Sequence, residues 1–151
     1  MEDNNYTFPQ ANDLEKVITI MSIEDPSLIK NRFHIAHIIG DLTERQVDYY
    51  VSACVYLGFI TPDRDFTPYG KQVLSLQHSE KVVQIARRII SDPIFGSVFF
   101  TQRLIGAPLD RCDIIEIMKR HTNLTDTVYE RRAQTVARWV EWIDQEFPDY
   151  R

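Results

Sequence analysis

The chain has 151 residues, 44% of them hydrophobic and 26% charged, with a formal net charge of −5. That is apolar material for one compact core, and no apolar run approaches the ~20 residues a membrane helix needs. Two cysteines, Cys54 and Cys112, exclude a disulfide framework or a cysteine-built zinc site and make a reducing cytoplasm the expected compartment. The opening Met1-Glu-Asp-Asn-Asn lacks the basic-then-apolar start of a secretory signal.

Residues 1–12 read as a flexible lead. Asp13 to Ile23 is predicted to be a first helix, with Leu14, Val17, Ile18 and Met21 on one apolar stripe. Pro26 interrupts it. Arg32 to Ile39 is a short helix carrying Phe33, Ile35, Ala36, Ile38 and Ile39, stopped by Gly40 and the turn Asp41-Leu42. Thr43-Glu44-Arg45-Gln46 fits a capping box and opens a helix whose inner face is Val47, Tyr50, Cys54 and Leu57. After Gly58, Phe59-Ile60-Thr61 and Phe66-Thr67 flank the polar turn Pro62-Asp63-Arg64-Asp65, a pattern that reads as a small β-hairpin.

The second half reads as helical throughout. Ser79 to Ile90 places Val82, Val83, Ile85, Ala86, Ile89 and Ile90 inward; Asp92-Pro93 starts a helix to about Leu104; Asp110 starts one to about His121. Thr127-Val128-Tyr129-Glu130 has the form of a second capping box, opening a last helix to about Glu146. The segment Arg32–Ile39 is echoed by Arg111–Met118. Each is followed by Leu-Thr and a longer helix ending in aromatics, a helix-turn-helix layout met twice. The expected fold is therefore mostly α: a winged helix-turn-helix over residues 13–78, a wingless helix-turn-helix-like half over 79–147, and a tail over 148–151.

Charge is unevenly spread. Residues 1–30 carry −4, 31–78 carry −1, 79–138 carry +3 and 139–151 carry −3. A basic middle between acidic ends is the shape expected when one face meets phosphate.

Glu44–Tyr50, with Ala53, Tyr56-Leu57-Gly58-Phe59-Ile60 and Phe66-Thr67-Pro68-Tyr69-Gly70-Lys71, resembles the winged-helix modules of bacterial type II restriction endonucleases and related restriction-modification proteins. Glu130–Val136, with Trp139 and Trp142-Ile143, is similar to the end of the same modules. The resemblance implies DNA binding, as a recognition or accessory part of such a system, and no nuclease centre within these residues.

No catalytic constellation stands out. Asp63 and Asp65 precede Lys71, but at a spacing unlike a Mg²⁺-holding nuclease set. His34 and His37 have no third ligand. The chain is thus expected to be no enzyme by itself and to need no cofactor or metal. The candidate DNA-contacting residues are Arg45, Gln46, Tyr49 and Ser52 on the first recognition-type helix, Arg64 at the wing tip and Lys71 after it. On the last helix they are Arg131, Arg132, Gln134, Thr135 and Arg138. Arg can pair with guanine, and Gln with adenine, through two hydrogen bonds each. Cys54 and Cys112 read as core residues, Trp139 and Trp142 as packing, and Tyr49, Tyr56 and Tyr129 as exposed aromatics. The expected partner is double-stranded DNA, with a nuclease domain or subunit and a second copy of the chain as the protein partners this reading admits. The alternative is a protein-protein interaction or dimerisation module on the same scaffold.

Overall fold

The computed structural model of the chain describes residues 8–40 and 42–148. Residues 1–7 of the expected lead, Asp41 of the expected turn and residues 149–151 of the tail lie outside it. The described residues form eight α-helices and one short 3-10 helix. In chain order they are α1 (Leu14–Ile20), the 3-10 helix (Pro26–Lys30), α2 (Arg32–Ile39), α3 (Glu44–Tyr56), α4 (Pro68–Leu74), α5 (His78–Ile90), α6 (Pro93–Ile105), α7 (Arg111–Lys119) and α8 (Asp126–Glu146). Side-chain caps set most of the starts. Asp13, Asn31, Thr43, Thr67, Asp92 and Asp110 each accept an amide of the helix they precede, satisfying donors that have no partner inside the helix.

The expected β-hairpin wing is absent: no strand forms among the described residues, and the fold is all-helical. Between Gly58 and Thr67 there is only an isolated bridge, Ile60 with Phe66. The backbone closes into a tight turn instead, with Arg64 N donating to Thr61 O at 2.8 Å and Thr61 N to Asp65 O at 2.7 Å. Strands run about five residues, and the flanks here are too short. Phe59 follows directly on α3, and Thr67 already caps α4 through a 2.9 Å bond from Gly70 N. Ile60 and Phe66 turn into the core, so this segment is a buried clamp and not an arm.

The second half also departs from its expected form. α8 begins at Asp126 after Thr125, so Thr127 lies inside its first turn and caps nothing. The preceding turn is held by Tyr129, whose hydroxyl accepts Leu124 N at 3.1 Å and donates to Thr122 O at 2.9 Å. Tyr129 is accordingly buried and not an exposed aromatic. Cys112 is exposed on the first turn of α7, because Ile114, Ile117 and Met118 take that helix's inner face. Val83 and Phe33, both assigned to apolar stripes, also point outward.

The core is continuous from end to end. Trp139 of α8 is fully buried, with Phe95 of α6 stacked on it at 4.8 Å between centroids. Phe8 stacks on Phe95 at 5.6 Å, and Tyr56 of α3 meets Phe8 edge-on at 5.5 Å. The Tyr56 hydroxyl donates to Asp92 Oδ1 at 2.5 Å, while Asp92 Oδ2 accepts Ile94 N and Phe95 N. Burial, and then the charge of Asp92, push the Tyr56 hydroxyl pKa well above its ordinary value. Residues 8–12, expected to be part of a flexible lead, run as a strap across α8. Trp139 Nε1 donates to Ala11 O at 2.6 Å and the Thr135 hydroxyl to Asn12 Oδ1 at 2.7 Å.

Gly70 marks the tightest backbone approach. A Cβ added there would overlap the Phe59 carbonyl oxygen, and that oxygen also accepts Thr67 N at 2.9 Å. Gly70→Ala is expected to destabilise the protein by about 1–3 kcal/mol or more, the cost of forcing atoms into a packed site. Urea unfolding measures it, and an unchanged midpoint would refute the direct contact of α4 with the Phe59 backbone.

Candidate nucleic-acid interface

α2 and α3 pack as a helix pair, and the start of α3 is fixed by its capping box. Gln46 N donates to Thr43 Oγ1 at 3.2 Å, and Thr43 N to Gln46 Oε1 at 3.0 Å. The amide oxygen of Gln46, expected to pair with adenine, is thereby engaged at the helix start. Its neighbour Arg45 is exposed and lies along α3, donating from Nε to the Tyr49 hydroxyl at 2.8 Å, with its guanidinium carbon 5.7 Å from the Tyr49 ring centre. Tyr49 and Ser52 are half-buried.

Asp48, one turn along from Glu44, gathers charge from two other segments. Arg32 of α2 donates to both of its oxygens, at 3.1 and 2.9 Å, and Arg64 of the 61–64 turn donates to Oδ1 at 2.7 Å. Arg32 also reaches Glu44 at 3.2 Å, and Lys30 pairs with Asp65 at 3.2 Å. Arg64, expected at the tip of a wing, is instead held against α3 in a left-handed conformation, φ 66°. Lys30, Arg32 and Arg64 line an open cleft of about 770 Å³ together with Phe33 and Glu44. Sequence reasoning missed Lys30, Arg32 and Phe33 as site residues. The Arg32–Asp48 pairing spans two helices and a turn, and no local spacing announces it.

α8 does not offer the face expected of it. Thr135 is buried at 1% exposure on Asn12, and Arg132 is buried at 8%. Burial, then the like charge of Arg131, push the Arg132 guanidinium below its ordinary value, while Tyr49 acts on it in the opposite direction. Tyr49 of α3 is thus close enough to act on the Arg132 charge, and Arg131 is exposed on α8. Gln134 and Arg138 are exposed elsewhere, lining a cleft of about 300 Å³ with Pro108, Leu109, Glu141 and Asp144. Lys71 is exposed on α4, which packs on α5. Of the eleven expected DNA-contacting residues, the fold sets Arg45 against Tyr49 on α3, holds Arg64 on Asp48 of the same helix, buries Arg132 and Thr135, leaves Arg131, Gln134 and Arg138 exposed along α8, and puts Lys71 on α4.

A family model described as a domain of unknown function, DUF7226, matches residues 16–147. The chain belongs to the DUF7226 family. Neither a curated protein nor a solved structure matches it. The matched span of this DUF7226 domain takes in both α3 and α8. Among the described residues no helix is long and apolar enough to cross a membrane, and no group of three or more His, Cys, Asp or Glu side chains is placed to hold a metal ion.

A second titratable feature lies on the opposite side of α2. Lys81 of α5 is 7% exposed, and its Nζ donates to Ser22 Oγ at 3.1 Å. Ser22 Oγ in turn donates to Ile18 O at 2.7 Å. Burial lowers the Lys81 pKa below 10.5. The folded state then binds fewer protons than the unfolded chain between the lowered value and 10.5, and this group's contribution to stability rises with pH through that window. Lys81→Met removes the cost of burying the charge. It is expected to raise the melting midpoint at neutral pH, with the gain shrinking as the pH approaches 10.5. Paired melts of parent and variant across pH check this, and a gain independent of pH would refute it.

Proposed function

We propose that this DUF7226 domain binds double-stranded DNA through the α2–α3 helix pair, with α8 adding a second cationic edge. The observation that carries the reading is the cationic set on α3: Arg45 exposed in its first turn and laid on Tyr49, with Arg32 and Arg64 gathered on Asp48 one turn along. Arg45 sits in the first turn of α3, the part of a recognition helix that presents side chains to base edges. Arg131, exposed on α8, is suited to phosphate; Arg132, next to it in the chain, is buried. Glu44 and Asp48 would repel a phosphate chain if bare, but Arg32 and Arg64 cover them, so the surface around α3 carries no net acidity toward the nucleic acid. The resemblance of residues 44–71 and 130–143 to restriction-modification modules supports a place as a recognition or accessory unit in such a system, acting in the cytoplasm.

A second reading, a protein-docking module, is favoured by one observation. Phe100, Leu104 and Ile105 are exposed together at the end of α6, and such an apolar patch suits a protein better than a phosphate backbone.

On the DNA reading, binding to a mixed-sequence duplex pool falls steeply with salt, with a log–log slope near −0.9 per phosphate contacted. Arg45→Ala and Arg131→Ala each weaken it, Arg45→Ala by about 1–3 kcal/mol on the preferred site, while Arg138→Ala leaves it at the parent value. Asp48→Asn strengthens binding and steepens the slope by releasing Arg32 and Arg64, with a stability change within about 1 kcal/mol because these pairs are at the surface. Fluorescence anisotropy over a salt series measures all of this. Binding that ignores salt, or no binding by the parent, would favour the docking module.

A further inference from the structure

The exposed large hydrophobic residues fall into distinct places. Phe100, Leu104 and Ile105 share the end of α6, Val83 lies on α5, and Phe33 stands apart on the first turn of α2 with 77% of its surface exposed. α2 does not need it for packing, since Ile35 is fully buried and Ala36, Ile38 and Ile39 pack behind it. Its surroundings are charged, three cations held in surface pairs with Glu44, Asp48 and Asp65. Lys30, Arg32 and Arg64 share its cleft, and the two arginines are braced by Asp48 at 2.9 and 2.7 Å.

From this juxtaposition, and resting on the DNA reading above, we infer that Phe33 is a wedge that inserts between base pairs at the groove edge while Lys30, Arg32 and Arg64 hold the flanking phosphates. An apolar ring set among cations matches a polyanion whose interior is made of flat apolar faces. Apolar side chains that enter a base step unstack it and bend the duplex. The position also suits the task. In a helix-turn-helix the first helix crosses the backbone while the second enters the groove, and Arg32 joins α2 to α3 through Glu44 and Asp48. The two helix starts therefore reach a duplex together. Asp48 gathers Arg32 and Arg64 on one carboxylate beside the cleft, in surface pairs that an approaching phosphate can exchange at low cost.

The test uses the full chain and a duplex selected by binding from a random-sequence pool, with a donor and an acceptor dye at its ends and 2-aminopurine along its length. The parent is expected to shorten the end-to-end distance and to brighten 2-aminopurine at one step. Phe33→Ala should melt at the parent temperature, bind roughly ten- to hundredfold more weakly, and leave the duplex straight and stacked. Phe33→Leu, still apolar, should recover most of the bend. Should Phe33→Ala bind, bend and unstack the duplex as the parent does, the wedge is refuted while DNA binding stands. Should the parent fail to bind duplex, or prefer a glutamate-rich peptide, the DNA reading fails and the wedge falls with it.

Discussion

The stack that runs from Tyr56 through Phe8 and Phe95 to Trp139 is the constraint on which the rest of this fold depends. Those four rings come from α3, the N-terminal strap, α6 and α8. Each ring buries a large apolar area, and aromatic pairs in edge or offset geometry add about 0.5–1.5 kcal/mol each beyond that. The polar ends are satisfied as well, since Trp139 Nε1 reaches Ala11 O and the Tyr56 hydroxyl reaches Asp92. Asp92 is doubly used, because its other oxygen caps α6 and so fixes where Phe95 enters the stack. Tyr56 also meets Phe95 directly at 6.2 Å, so the rings form a closed cluster that ties α3, the strap and the α6–α8 pair together.

This arrangement decides what α8 can be. A helix that lies in a groove must leave one broad face bare, yet α8 buries nine of its residues, among them Arg132, Thr135, Trp139 and Trp142. Its inner side meets α7 and α6, and a further strip meets the strap and α1, where Trp142 Nε1 donates to Glu15 at 3.1 Å. What remains exposed is a narrow ridge. The spacing of Arg131, Gln134, Thr135 and Arg138 does suit one helix face, and that face loses Thr135 to the strap through Asn12. Arg131, Gln134 and Arg138 stay exposed, the last two beside Pro108 and Leu109 of the loop before α7.

Local chemistry was the legible part of the sequence. The Thr43 capping box, the Asp92-Pro93 start and the Asp110 start lie where propensity and capping place them, because a cap needs only its own first turn. The apolar stripes of α1, α5 and α8 were legible for the same reason. The wing failed because two short β-prone stretches around a polar turn look alike whether or not the chain continues as a strand. Here Thr67 ends the second stretch by capping α4, and Gly70 lets α4 settle onto the Phe59 backbone. The strap was illegible because Phe8 and Ala11 are too few to show a period, and their burial depends on a tryptophan far along the chain. The candidate site divides the same way. Arg45, Tyr49 and Arg131 could be picked out from helix position, whereas the cleft of Lys30, Arg32 and Arg64 exists only through contacts between segments.

The net charge of −5 is compatible with the polyanionic partner proposed above because of where the carboxylates are engaged. Around α3, Glu44, Asp48 and Asp65 are each in contact with a cation, so the acid that would repel phosphate is already neutralised by the groups that would attract it. Surface pairs of this kind contribute little to stability, about 0–1 kcal/mol each, and a phosphate can compete for their cations at low cost. They act more as springs than as bolts. Bringing a phosphate near Arg32 or Arg64 draws each guanidinium off Asp48, and the carboxylate left behind then repels the next phosphate to approach. On the proposed DNA reading, a surface built this way would select for the position of a backbone as well as for its charge. A chain of phosphates in the wrong register meets Asp48 and Glu44, while one in the correct register meets Arg32, Arg64 and Arg45. The strap and the aromatic stack hold α3 and α8 in a fixed relation, and that rigidity is what would let such small electrostatic differences discriminate one register from another.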